Sequence, residues 1–282
     1  MIAWERFIDA TRDEPGGLYA RLAGPVTFSC GAPAGYGFGL GRGRMLGRAV
    51  VSHGGGLRGW RSFRGYLPAE RVSVVVLFNH MADPRDAALT LLEALFGPHQ
   101  TQPPAAAGAW DGRFIEPETG LATRIATRSD GLVRLHFAGG PDTLDPRGPE
   151  LAESGPTRLR LGPDGITLQR DGDNLTSLLQ PISGAPAHDI EGCFVNDEYD
   201  AQLSITAQGG ALFGAFSGWL GQGMMTGLLP VAGDVWLLPC PRALDYSPPG
   251  DWTLHFARNA AGEVTQVTIG CWLARGLVFR RV

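Results

Sequence analysis

The sequence predicts an α+β segment followed by two antiparallel β-barrel domains. Three observations carry that expectation. Helical periodicity is confined to the first 97 residues, short alternating runs follow beyond about residue 106, and part of that second region is duplicated.

The opening segment, 1–97, mixes the two periods. Met1, Trp4, Phe7 and Ile8 recur at helical spacing and predict a short amphipathic helix. Four strand-like runs follow: Tyr36–Leu40, Met45–Ser52, Trp60–Tyr66 and Val72–Phe78. Residues 41–44 are the expected turn of the first pair, and 67–71 join the second. Asp83-Pro84 opens a helix as N-cap and first helical residue, and Gly97-Pro98 stops it. Ala87, Leu91, Leu92 and Leu95 form its expected apolar face. These elements make only part of an α/β sandwich, because the segment supplies no obvious cover for the second face of the sheet.

Residues 98–105 fall in a proline- and alanine-rich stretch of linker composition. Beyond it the runs Leu132–Phe137, Thr157–Leu161, Ile166–Arg170, Leu212–Phe216 and Val264–Ile269 are separated by Gly, Asp, Pro or Asn turns, which suits barrels. The stretch 110–118 resembles 190–198 at an offset of 80 residues, with Gly112 matching Gly192, Phe114 matching Phe194 and Ile125 matching Ile205. Two related domains, 106–188 and 189–282, account for the repeat. Glu116, Glu118, Asp197 and Glu198 recur in both copies, so a shared turn explains them better than paired carboxylates for glycoside chemistry.

Composition narrows the chemistry. The net charge of -4 offers no electrostatic footprint for nucleic acid, and no run approaches the length of a membrane span. The first residues lack the basic-then-apolar pattern of a leader, and the compartment is not legible. All 24 basic residues are arginine. Lysine Schiff bases, lysine general bases and a P-loop lysine are therefore excluded from this chain. Cys30, Cys193, Cys240 and Cys271 show no metal-ligand spacing, and buried free thiols are expected. No metal or cofactor is implied.

The chemistry-bearing stretch is Ser52-His53-Gly54-Gly55-Gly56-Leu57-Arg58-Gly59-Trp60. An imidazole changes charge near neutral pH, so His53 can hold a carboxylate or assist proton transfer. Glycines let a carbonyl approach the main chain without meeting a Cβ, and a freed N–H can point at a developing oxyanion.

With the text that follows, GWRSFRGYLPAERVSVVVLFNH, this stretch resembles the third motif region of the serine β-lactamase and penicillin-binding family, in its class C-like branch. There a His-x-Gly triplet precedes G-[FW]-x-S, a strand, a proline turn and a second strand. The resemblance implies that His53, Gly54 and Gly55 are the triplet, that the Gly56 N–H is half of an oxyanion hole, and that the first segment is a partial β-lactamase-like α/β sandwich. The other two motifs of that family, Ser-x-x-Lys and Tyr-x-Asn, do not occur here. The resemblance therefore implies a chain that carries the rear, C-terminal part of the hydrolase, inactive by itself on amides, with the nucleophile encoded upstream.

A His-x-Gly hydrolase segment followed by two barrels resembles the D-aminopeptidases of this family. That implies a small peptide or amino-acid amide substrate, release of an N-terminal D-residue through a serine acyl-enzyme, and the N-terminal half of the hydrolase domain as partner, with a homodimer as an allowed assembly. It also implies that a third-domain loop, here 241–251, brings Asp245 to the substrate ammonium, with Asp251 as the alternative. Two other readings stay open at this stage. One is an esterase or D,D-peptidase of the same family, and the other is a non-catalytic barrel with an apolar ligand in a wide lumen.

Overall fold

The computed structural model describes residues 1–57, 59–97, 109–219, 221–240 and 250–282. Strands dominate and helices are few. The chain forms two compact units. One holds the described residues up to 97 together with Glu153–Arg158 and Gln169–Thr176, and the other holds the remainder.

In the first unit a five-stranded antiparallel sheet runs β1 (Tyr36–Gly37), β2 (Leu40–Met45), β3 (Arg48–Leu57), β4 (Trp60–Leu67) and β5 (Val72–Phe78), each strand paired with the next. The sequence misplaced the first turns. Residues 41–44 are strand, and the chain reverses instead at Phe38-Gly39 and at Leu46-Gly47. Both dipeptides have φ above zero at each residue, +54° and +77° in the first, +49° and +75° in the second. That is the conformation a two-residue hairpin matched to strand twist requires.

Helix α3 (Pro84–Phe96) begins as expected, with the Asp83 carboxylate accepting the Arg85 N–H at 2.7 Å. Gly97 ends it at φ +85°, donating its N–H to the Glu93 carbonyl at 2.8 Å. The buried stripe is rotated from the expected one. Ala88 and Leu92 enter the core with Val50, Phe63, Leu67, Val74 and Val76, whereas Leu91 and Leu95 are exposed.

The opposite face of the sheet is not bare. Arg64 and Tyr66 alternate with Phe63 along β4 and so point away from α3. They meet α1 (Ile2–Thr11) and α2 (Leu18–Ala23), the latter unanticipated. Of the expected apolar stripe on α1 only Ile8 is buried. Trp4 and Phe7 are exposed and stack at 5.6 Å. The other buried position is Glu5, which the periodicity did not select.

Beyond residue 109 two sheets curl into barrel-like meanders. In the first, eight strand segments follow one another from Gly112–Glu116 to the stretch that contains Leu175–Leu178 and Gln180–Pro181. That last stretch satisfies two neighbours: Leu179 donates to the Ile166 carbonyl, while Gln180 and Pro181 pair with Ile115 and Phe114. In the second, Leu277–Arg281 pairs back onto Gly192–Asn196. The fourth strand is again shared: Thr226–Gly227 pairs with Ala211–Gly218, and Leu229–Ala232 pairs with Val235–Leu238. Curling leaves little free edge. Phe194, Leu203, Leu212, Trp236, Leu254, Phe256, Val267 and Phe279 fill the second interior, which leaves no wide apolar lumen for a ligand.

The duplication extends to side-chain detail. Gly112 pairs with Ile125 and Gly192 with Ile205, the same register 80 residues apart. Asp111 accepts the Thr127 N–H at 2.8 Å, and Glu191 accepts the Ala207 N–H at 2.6 Å. At the following turn Glu116 accepts the N–H groups of Glu118 and Thr119, and Asn196 accepts that of Tyr199. The shared-turn explanation of the acidic residues is thus the observed one for Glu116.

Glu116 is fully buried and also accepts hydrogen bonds from the Ser177 and Thr119 hydroxyls, at 2.6 and 2.5 Å. Burial, the largest influence, pushes its carboxyl up. The Ser177 and Thr119 hydroxyls with the two amides outweigh burial and hold it below its usual range. A carboxyl depressed in the folded state adds stability above its unfolded pKa, and that stability is lost as pH falls through the folded value. Glu116→Ala should cost about 3 kcal/mol in urea unfolding at neutral pH, because four donors lose their acceptor. Glu116→Gln should flatten part of the fall in stability below about pH 4.

Candidate active-site wall

His53 lies on β3, exposed to solvent. Its Nδ1 is 3.1 Å from the Tyr36 hydroxyl, and the two rings are 6.2 Å apart. A phenol donating to Nδ1 leaves the proton of a neutral ring on Nε2, the nitrogen turned from the tyrosine. Tyr36 was not selected by sequence as a site residue. The signal was the Gly41–Ser52 pairing, which brings β1 alongside the start of the His53 stretch, and that requires knowing where the hairpins turn.

The ladder fixes where the glycine amides point. In a two-residue hairpin the flanking residues exchange both main-chain hydrogen bonds, and the pattern alternates outward. Counting from Met45–Arg48, residues 48, 50 and 52 turn toward β2, and 49, 51 and 53 toward β4. Counting from Leu57–Trp60, residues 57, 55 and 53 turn toward β4. The two counts agree. Gly54 and Gly56 therefore turn their N–H and C=O groups to the β2 side, where the β2 ladder has already ended at Gly41–Ser52. Among the described residues, a short row of main-chain donors and acceptors is left open beside His53.

At Gly55 a Cβ would come within 2.5 Å of the Ser62 hydroxyl, which would have to turn aside, whereas a Cβ on Gly54 would meet nothing closer than 3.8 Å. Behind the wall, Glu5 and Arg64 form a buried two-point pair at 2.9 and 2.7 Å, with Ser73 donating to Glu5 at 2.8 Å. Arg64 is the ladder partner of His53, so this pair holds the strand that carries the imidazole. Tyr66 and Arg71 both donate to Asp9 on the same helix.

The family profile for D-aminopeptidase, domain B, matches residues 103–280. The chain belongs to the D-aminopeptidase family. It is 43% identical over 284 residues to the D-aminopeptidases of Brucella ovis and Brucella melitensis, and 47% identical over 296 residues to that of Gluconobacter oxydans. Each alignment covers 100% of this chain and 55% of the relative, so the chain spans a little over half the length of the D-aminopeptidases it matches.

The other expected site residues lie beyond residue 109. Asp245 is outside the described residues. Asp251 faces Arg124 at 3.6 Å, beside a small recess lined also by His136 and Thr253. Burial lowers the His136 pKa, reinforced by Arg124 and Arg134 and opposed by Asp251. His136 accepts from Arg134 Nε at 3.1 Å, so it is a partnered, half-buried histidine. None of the four cysteines forms a disulfide among the described residues; only Cys271 is buried, and Cys30 is exposed.

Glu5→Ala would leave the Arg64 guanidinium buried without its carboxylate. The loss should be about 3 to 5 kcal/mol in chemical unfolding of the first unit. Glu5→Gln, which keeps the shape and one acceptor, should lose less.

Proposed function

We propose that this chain is the rear part of a serine hydrolase that removes N-terminal D-residues from peptides, amides or esters, and that it contributes one wall of the site. In this reading the scissile carbonyl lies along the open edge of β3. The Gly56 N–H receives the developing oxyanion, and Gly54 and Gly55 leave room for the substrate main chain. His53, with its proton on Nε2, donates to the substrate or relays a proton to the leaving amine. The attacking serine and its lysine belong to the part of the protein outside these 282 residues, since no lysine is present to activate a serine here.

The observation that carries the reading is the agreement of the two hairpin counts, which turns the Gly54 and Gly56 amides to an unpaired edge next to an exposed imidazole. The names of the relatives direct it to D-aminopeptidases rather than to esterases or D,D-peptidases. The helices α1 and α2 on one face and α3 on the other suit the rear of an α/β sandwich. The exposed Trp4 and Phe7 suit a surface completed by the missing half of the hydrolase domain. Asp245, in the 241–251 specificity segment, is the choice for pairing with the substrate ammonium. The barrels, with packed interiors, act as supports.

In the full-length protein, His53→Ala should lower kcat/KM for D-alanine amide by about a hundredfold or more without moving the unfolding midpoint. Tyr36→Phe should cost less, about tenfold, because it frees the ring without removing it. Hydrolysis assays on D-alanine amide, a D-alanine ester and a muropeptide stem discriminate the substrate class. Turnover of the ester alone would reject the aminopeptidase reading. An unchanged rate in the His53 variant would remove this wall from the mechanism.

A further inference from the structure

The second barrel carries a cleft that the hydrolase reading does not use. Its first and last strands pair only at Phe194–Arg281 and Val195–Arg280. Beyond that point they part. Leu277 and Val278 stay on the neighbouring strand through Ile269 and Thr268. The Asn196 side chain spans the gap, donating from Nδ2 to the Val278 carbonyl at 2.9 Å. Along this parted seam lies an open cleft of about 420 Å³, lined by Asp197, Glu198 and Tyr199 on one side and by Arg275 and Arg280 on the other. The volume falls within the range of small-molecule sites.

Its charges are only partly spent, Glu198 accepting the Tyr199 hydroxyl. Among the described residues, neither Asp197 nor Arg280 has a hydrogen-bond or ion-pair partner, and the acids and arginines that line the cleft do not pair with each other. Arg275 is held over the Trp272 ring at 5.2 Å, which presets the guanidinium plane without occupying its donors. Opposite charges that share one cleft without touching leave a space suited to a ligand that carries both signs, its carboxylate on the guanidinium fork and its ammonium on the acids.

We propose that this cleft binds a short zwitterionic peptide, with its terminal carboxylate at Arg275 and Arg280 and its ammonium at Asp197 and Glu198. The proposal uses none of the residues of the His53 wall and holds whether or not the hydrolase reading does. Glycylglycine is the probe, titrated into the isotope-labelled 282-residue chain and followed by amide chemical shifts. Saturable shifts should cluster at 195–199 and 275–280. N-acetyl-glycylglycine and glycylglycine amide, which each lack one charge, should bind about tenfold or more weakly. Arg280→Met and Asp197→Asn, both at solvent-facing positions, should weaken glycylglycine by a similar factor, with dispersed spectra as the check on folding. The proposal fails if no saturable shift occurs up to about 10 mM peptide. It also fails if the capped peptides bind as well as the free one, or if both variants bind undiminished.

Discussion

The parity of one strand governs the site. The Leu46-Gly47 turn fixes which residues of β3 bond to β2, and the hairpin that joins Leu57 to Trp60 fixes which bond to β4. Because side-chain and main-chain directions alternate with a period of two, a slip of one residue at either turn would bury the Gly54 and Gly56 amides in the β4 ladder. The positive φ of Leu46 is therefore tolerated for a reason. A left-handed leucine costs about 1 kcal/mol, and the register it secures exposes the row that the glycines keep clear.

Support for that row comes from a charge pair on one face of the sheet, opposite the apolar core on the other. Glu5 and Arg64 sit within the layer between α1 and the sheet, both nearly solvent-free, with Ser73 satisfying a further lone pair. Such a pair adds little net stability over apolar residues of the same shape, but breaking it is costly, so it fixes the position of the helix on the strand. Asp9, Tyr66 and Arg71 repeat the arrangement one turn along the helix. Polar joints of this kind have no hydrophobic periodicity, which is why they escape a reading by pattern.

What was legible in the sequence follows the same division. The strand-like run of β5 and the Asp83-Pro84 start of α3 are local signals, and the structure has them where the residues indicated. The strand Asp142–Gly148 was not legible, because Asp, Pro and Gly within DTLDPRG suit a turn, yet its first three residues pair with Leu135, Arg134 and Val133. The Gly41–Arg44 turn was misread for the opposite reason: glycines suggest reversal, yet Phe38-Gly39 and Leu46-Gly47, on either side of it, take the left-handed conformation that a reversal needs. Tyr36 could not be assigned to His53 until both hairpins were in register. The duplication was legible from glycines and aromatics. Its deeper regularity, a side chain at positions 111 and 191 that binds an amide sixteen residues on, was visible only in coordinates.

An open row of amides does not choose its guest. The two barrels hide nearly all their edges by curling, whereas the row beside His53 stays bare and has no side chains at Gly54 and Gly56 to fend off a neighbour. An extended chain of any origin would meet there the donors and acceptors of Gly54 and Gly56. Selectivity must therefore come from bulk and charge placed around the row. The same bareness makes this strand the natural point of adhesion should the polypeptide be produced by itself at high concentration.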